Sequence, residues 1–142
     1  MRLALAATAL AATTFALAAA GAAQAAHWTK YIDIENGLAW SYDADYSYKD
    51  ATTGRIVIMQ AISKPAGNLG PAGPGEPNGV GSVVAVDCGK RNIIPLGTYK
   101  PSQALQINNA WRSEVPKKAD GQENEALVTA VCATASKVPM KQ

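Results

Sequence analysis

Apolar and polar residues alternate along most of the chain, and a helical spacing replaces this alternation after Asp120. The alternating runs are rich in β-branched residues, which favour strands. Beyond Asp120, the larger apolar residues recur at Leu127, Val128, Val131, Cys132 and Ala135. These positions share one face of a helix, and such a face must be buried. A run of strands followed by one amphipathic helix predicts an α+β protein whose helix packs on the sheet.

Turn-forming residues divide the alternating region into separate strands. Strands are predicted at His27–Ile34, Leu38–Tyr48 with a break around Asp43–Asp45, Arg55–Ile62, Ser82–Cys88, Ile93–Tyr99, Ala104–Ile107 and Trp111–Val115. In the first strand, Trp28 and Ile32 share one parity and Tyr31 has the other. Pro95 lacks a backbone donor, so an edge or a bulge is expected there. Asp120 and Glu123 form a capping-box pattern that predicts the start of the helix.

Residues 65–81 interrupt the strand pattern, because ten of these 17 residues are Gly or Pro. Pro removes backbone donors and Gly raises the entropy of the unfolded chain, so no regular element is expected. A loop of this length inside one domain is uncommon and is often functional or disordered. A collagen-like interpretation fails, because so few Gly triplets cannot hold a triple helix.

The first 25 residues have the three-part pattern of a secretory signal peptide. Arg2 supplies the positive start, 13 of these 25 residues are Ala, and Ala23-Gln24-Ala25 resembles a cleavage site. Cleavage is expected after Ala25, with cleavage after Ala23 as the alternative. A transmembrane anchor is the competing interpretation, and Ala is only weakly apolar for that role. Residues 26–142 are then expected to form one exported domain, periplasmic or secreted, with the cell surface as a further location.

Export gives a meaning to Cys88 and Cys132, the two cysteines of the chain. An even number of cysteines in an oxidising compartment predicts a structural disulfide. The alternatives are two free thiols or a redox pair, and the separation of the two residues differs from the C-x-x-C pattern of redox pairs.

Composition and motifs argue against several classes of function. The net charge of +2 leaves no polybasic patch for nucleic acid. The only histidine is His27, next to the expected mature terminus, and none of the common catalytic or phosphate-binding motifs occurs. Asp43, Asp45 and Asp50 are expected to be solvated, and they do not continue into a calcium loop. No enzyme, metal site or cofactor is predicted, although a small hydrolase is kept as a remote alternative.

Four aromatic residues form the most distinctive side-chain cluster. Trp40, Tyr42, Tyr46 and Tyr48 share one parity, so a continuous strand would place them on one face. Such a row is either a partner-binding surface or the core face beneath the helix. The Gly/Pro-rich loop provides a second set of candidate binding residues, which are Leu69, Pro74, Glu76 and Asn78.

Several short patterns resemble the surface-adhesin protein E family of Gram-negative envelope proteins. They are Tyr31-Ile32-Asp33, Val86-Asp87-Cys88 followed by Arg91 and Tyr99, Trp111 with Val115-Pro116, and the helix that carries Val131-Cys132. The resemblance covers roughly residues 28–135. It implies an antiparallel sheet of about six strands with a C-terminal α-helix packed on one face and tethered by Cys88 and Cys132. The family's best-known member is a lipoprotein, whereas this leader lacks a lipidation cysteine, so no lipid anchor is expected.

The resemblance also implies binding of host extracellular-matrix or serum proteins. The function predicted from the sequence is therefore a non-enzymatic, exported binding module of the cell envelope, with a protein as its partner. The alternative is a periplasmic inhibitor or accessory protein of an envelope enzyme. The oligomeric state is left open.

Overall fold

The computed structural model describes residues 27–63, 80–99 and 106–142. These residues form an eight-stranded, mostly antiparallel sheet and one α-helix, which lies near the C-terminal end of the sequence. The strands are β1 (Trp28–Ile34), β2 (Leu38–Asp43), β3 (Tyr48–Asp50), β4 (Ile56–Ser63), β5 (Val80–Asp87), β6 (Asn92–Tyr99), β7 (Lys117–Lys118) and β8 (Met140–Lys141), and the helix α1 is Gln122–Ala133. The predicted fold class is confirmed.

The main sheet has the strand order β1-β2-β4-β5-β6-β7. The long strand β4 pairs with β2 along its C-terminal half and with β3 at Ile56 and Val57. The two short strands β2 and β3 therefore share one side of β4, separated by a turn. The outer edge of β3 is covered by β8, the single parallel pairing in the described part of the sheet.

A β-bulge in β1 changes which face each aromatic side chain occupies. The pairing with β2 shifts between Lys30 and Ile32, so Tyr31 is the extra residue. A bulge interrupts the alternation of side chains. Tyr31 consequently packs against the core beneath the helix, whereas Trp28 packs against the core on the opposite face. The opposite parities predicted for Trp28 and Tyr31 agree with this placement, but the parity predicted to be shared by Trp28 and Ile32 is wrong, because Ile32 follows the bulge and lies beside Tyr31 against α1.

Pro95 lies where its missing donor costs little. Strand β6 pairs with β5 along its length, but β7 covers its other side only at Asn92 and Ile93 among the described residues. The pairing also shifts next to Pro95, because Val83 opposes Gly97 and Val84 opposes Pro95. The edge and the bulge expected from Pro95 are both present.

The two faces of the sheet each carry a hydrophobic core. The helix-side core joins α1 to the sheet through the fully buried side chains of Leu127, Val128 and Val131. The sheet residues in this core include Tyr42, Ile56, Ile58, Val84 and Val86. The opposite core contains Val57, Met59, Val83, Ala85, Ile94 and Trp111. Strands β4 and β5 are therefore apolar on both faces, which explains their nearly continuous hydrophobic sequences.

A disulfide between Cys88 and Cys132 links the end of β5 to the last turn of α1. Their Cα atoms are 5.6 Å apart, within the normal range for a bridge. Both cysteines also pack against the helix-side core. The predicted tether between helix and sheet is confirmed.

The start of α1 differs from the capping-box prediction. Gly121 takes the N-cap position at φ 90° and no side chain caps the helix, while Asp120 lies one residue earlier. The Asn124 side chain donates instead to the Asp120 carbonyl, over 2.6 Å. The sequence rule placed the cap on Asp120 because it ignores the left-handed conformation that Gly121 adopts so readily.

Three strand boundaries also need correction. Residues Asn109–Ser113 form a 3₁₀ turn rather than the start of a strand at 111–115, because Trp111 is buried against the opposite core. Of the strand predicted at 104–107, only the last two residues are described, and they are not in a strand. The expected loop ends before Val80, which pairs with Ile62. No helix within the described ranges is long and apolar enough to cross a membrane.

Candidate functional site

Asp43 organises the turn that separates β2 from β3. Its carboxylate accepts hydrogen bonds from the backbone amides of Asp45 at 3.0 Å, Tyr46 at 3.3 Å and His27 at 3.2 Å. The Ser47 hydroxyl donates to the Asp43 carbonyl over 2.8 Å. An aspartate that accepts amides two and three residues ahead stabilises a turn. The break predicted around Asp43–Asp45 is confirmed, but Asp43 is buried rather than solvated.

This turn divides the predicted aromatic row between the two faces of the sheet. Tyr42 is buried in the helix-side core, whereas Tyr46 and Tyr48 pack at the margin of the opposite core. Trp40 is half-buried in β2, opposite Ile32 and Ile62. A continuous strand would have kept the four rings together, so the prediction of a one-sided row is wrong.

Tyr46 and Tyr48 form a pair of half-buried rings. Their centroids are 6.3 Å apart with an angle of 58° between the planes, a tilted arrangement that aromatic pairs favour. The ammonium of Lys141 in β8 lies 4.9 Å from the Tyr48 ring centroid, a cation–π contact. Burial, and then Tyr48, raise the pKa of Tyr46 to about 12. Burial and the Asp50 carboxylate also raise the pKa of Tyr48, while Arg112 opposes the increase.

Asp50 and Arg112 form an ion pair next to these rings. The guanidinium donates from Nη2 to Asp50 Oδ1 over 2.6 Å and from Nε to both carboxylate oxygens, at 3.0 and 3.2 Å. Thr53 adds its backbone amide at 3.0 Å and its hydroxyl at 2.7 Å. These hydrogen bonds, led by those from Arg112, lower the pKa of Asp50 despite its burial. The hydrogen bonds from Arg112 to Asp50 raise the pKa of Arg112 in turn.

The side chain of Asp50 is 0% exposed and that of Arg112 is 27% exposed. The expectation of a solvated Asp50 is therefore wrong. Sequence reasoning missed the pair, because 62 residues separate its members. The only local signal was the Asp50-x-x-Thr53 spacing of an Asx turn, which indicates a structural aspartate but not its partner.

The 3₁₀ turn at 109–113 brings Arg112 to Asp50. The Asn108 side chain accepts from the Ala110 amide and caps this turn, and Trp111 is buried against the sheet with 2% exposure. The Arg112 guanidinium lies 5.1 Å from the Trp111 ring centroid. The buried Trp111 side chain anchors the turn, and the Arg112 side chain extends from it to the Asp50 carboxylate.

We define the aromatic–cationic face as Tyr46, Tyr48, Arg112 and Lys141. It lies on the side of the sheet opposite α1, at the end where β3, β4 and β8 meet. Its rings have restricted motion, and Asp50 holds one of its two cations in place. A surface of this kind presents flat apolar area together with the positive charge of Lys141, because Asp50 neutralises the charge of Arg112. Chemically, it suits an acidic protein surface that carries some apolar groups.

The remaining sequence-predicted site residues are distributed differently. Leu69, Pro74, Glu76 and Asn78 lie outside the described residues. His27 is exposed and contributes its backbone amide to the Asp43 turn. Within the described ranges, no three His, Cys, Asp or Glu side chains form a group that could hold a metal ion. Of the predicted set, Tyr46 and Tyr48 are brought together in the aromatic–cationic face.

Comparison with known proteins identifies no relative. No protein-family model matches the chain, and no similar chain was found among the curated proteins or the solved structures.

Proposed function

We propose that this chain is an exported, non-enzymatic binding module of a bacterial cell envelope that recognises a protein partner through the aromatic–cationic face. The observation that carries the proposal is the combination of Tyr46, Tyr48, Arg112 and Lys141 on one sheet face. Tyr and Arg are enriched among the residues that dominate protein–protein binding energies. Binding should cost less side-chain entropy at Arg112, because its hydrogen bonds to Asp50 already order this side chain.

Two further observations support the envelope location. The N-terminal segment has the pattern of a signal peptide, and the domain contains a disulfide of the kind that persists in oxidising compartments. The sheet, the terminal helix and the bridge also agree with the arrangement implied by the resemblance to surface-adhesin protein E. Host extracellular-matrix and serum proteins are accordingly the first partners to test.

The test measures binding of the purified oxidised domain to a panel of matrix and serum proteins by surface plasmon resonance. We expect saturable binding to one of them, weakened at least about tenfold by the double variant Tyr46→Ser/Lys141→Gln, since truncating central interface residues costs more than about 1.4 kcal/mol. Lys30→Gln is the matched control, because Lys30 is an exposed lysine on the edge strand β1. Equal weakening by both variants, or no binding to any panel member, would overturn the proposal.

The location needs its own experiment, because it decides which partners are accessible. Cell fractionation followed by protease treatment of intact cells separates surface display from periplasmic retention. Protease-sensitive protein on intact cells supports the adhesin-like function. A fully protected periplasmic pool would favour an inhibitor or accessory protein of an envelope enzyme in place of an adhesin.

A further inference from the structure

Strand β8 covers the outer edge of β3 mainly through backbone hydrogen bonds. The Lys49 amide donates to the Pro139 carbonyl and the Ala51 amide to the Lys141 carbonyl, both over 2.8 Å. Within the described part of the sheet, β8 pairs with no other strand. Met140 is 67% exposed, and Pro139 and Lys141 are exposed as well. The side chains of β8 therefore bury little apolar area.

This balance makes β8 easy to detach from the sheet. Val138 packs against the helix-side core and anchors the chain up to that residue. Each residue beyond Val138 loses backbone freedom when it pairs with β3, and water can replace the hydrogen bonds that it gains. Because little apolar burial is added, the net stability of the pairing is small. We expect β8 to open while the rest of the sheet stays folded.

An opened β8 leaves backbone donors on the edge of β3. The amides of Lys49 and Ala51 point to this edge, because the amide of Asp50 between them donates to the Arg55 carbonyl on the other side. An edge with uncovered amides pairs with the backbone of an added strand. The β3 edge can therefore accept any extended segment that approaches as β8 does.

The Tyr48 ring gives this edge a side-chain preference. It lies 4.9 Å from the ammonium of Lys141, and a cation over an aromatic face is attracted to it. We propose that the β3 edge binds an extended segment of a second protein that carries lysine or arginine at the position of Lys141, and that β8 blocks the edge until this segment displaces it. The site uses the backbone of β3, so it does not depend on whether a partner binds the aromatic–cationic face.

Amide hydrogen exchange of the full, oxidised, isotope-labelled chain measures how often β8 opens. After correction for intrinsic rates, the Ala51 amide, which donates to β8, should exchange at least about 100-fold faster than the amides that pair β4 with β5. Equal protection of these amides would overturn the proposal, because β8 would then open only when the whole domain unfolds.

Binding is tested with the end-blocked peptide Val-Pro-Met-Lys-Gln, which has the sequence of residues 138–142. In Lys141→Pro, proline cannot donate within the strand pairing, so the edge is opened. By NMR, this variant should show saturable shifts at Lys49 and Ala51 with a Kd on the order of 1 mM. Wild type should bind at least about tenfold more weakly, because its own β8 competes. Lys141→Gln is the matched control, since it removes the same charge but keeps the backbone donor, and it should stay close to wild type. No saturable shifts in Lys141→Pro, or equal binding by all three proteins, would overturn the proposal.

The preference for a cation is tested with a second peptide, Val-Pro-Met-Gln-Gln. It should bind Lys141→Pro about threefold more weakly than the lysine peptide, which corresponds to one exposed cation–π contact. Adding Tyr48→Leu should remove this difference and leave the binding that depends on the backbone. Equal affinity of the two peptides for Lys141→Pro would contradict the role of Tyr48.

Discussion

Loss of the Cys88–Cys132 bridge should remove a large part of the stability of this domain. The two cysteines are 44 residues apart in sequence, and their bridge encloses β6, β7 and most of α1. In the chain-entropy model, closing a loop of about 45 residues destabilises the unfolded state by about 4 kcal/mol. Because domains are typically stable by only about 5–15 kcal/mol, Cys132→Ser should lower the free energy of unfolding by about 2–5 kcal/mol.

The native fold should survive this change, because α1 keeps its buried contacts through Leu127, Val128 and Val131. We therefore expect native-like circular dichroism at low denaturant, but a urea midpoint shifted to lower concentration. The slope of the transition should increase, since an unbridged chain exposes more surface when it unfolds. Reduced wild-type protein is the control, and its transition should coincide with that of the variant.

Two results would contradict this account of the bridge. One is a difference in unfolding free energy below about 1 kcal/mol between oxidised and reduced wild-type protein, which is less than the chain-entropy model allows for such a loop. The other is mass spectrometry that finds two free thiols in protein prepared from an oxidising compartment. Either result would mean that the contacts of α1 alone hold the helix on the sheet.

Three further changes test other parts of the fold by urea denaturation. Leu127→Ala should cost about 3–4 kcal/mol, because a fully buried side chain is replaced by a cavity; a loss below about 1 kcal/mol would contradict the packing of α1. Gly121→Ala should cost about 1–2 kcal/mol, about as much as Gly54→Ala, because both glycines have positive φ and the only atoms close to a Cβ at Gly121 belong to the flexible end of the Glu123 side chain, which can move; no loss in either variant would contradict the backbone conformation. Asp50→Asn should cost about 2 kcal/mol at neutral pH by removing charged hydrogen bonds to Arg112. The folded-state pKa of Asp50 lies below its unfolded value of about 3.9, so the ion pair stabilises the fold above that pH and ceases to do so as the pH falls through the folded-state pKa. Asp50→Asn should therefore lose less stability on acidification than wild type. Parallel losses of stability in the two proteins would contradict the ion pair.

Local sequence patterns were sufficient for the elements with a strong periodicity. The helical stripe of Leu127, Val128 and Val131 predicted the buried face of α1, because one face of a helix repeats at 3.6 residues in any context. The β-branched runs predicted β4 and β5, and Pro95 correctly indicated an edge with a bulge. These features depend on neighbours in sequence, so the sequence contains the information needed to predict them.

The sequence predicts the wrong sheet face for side chains where a bulge or a turn interrupts a strand. The bulge at Tyr31 and the turn stabilised by Asp43 each reverse the relation between parity and sheet face. A period-two pattern cannot detect such a shift, because a displacement of one residue exchanges the two faces. The period-two pattern also predicts a strand at Trp111, although this residue anchors a 3₁₀ turn.

The candidate site was accessible to sequence reasoning only in part. Tyr46 and Tyr48 were singled out as aromatic residues with binding potential, but their separation from Tyr42 was not predicted. No local pattern indicates Arg112 or Lys141, because they reach this site from a turn and from a strand far along the chain. A contact between distant segments leaves no periodic signal.

The sequence by itself therefore determined the class of fold, the amphipathic terminal helix and the cysteine pair that joins this helix to the sheet. Each of these follows from local period, from composition or from there being just two cysteines to pair. Only the tertiary structure decided which face each aromatic side chain occupies and which cation neutralises Asp50. These outcomes depend on strand register and on packing between segments up to 62 residues apart, and both arise only when the whole sheet is assembled.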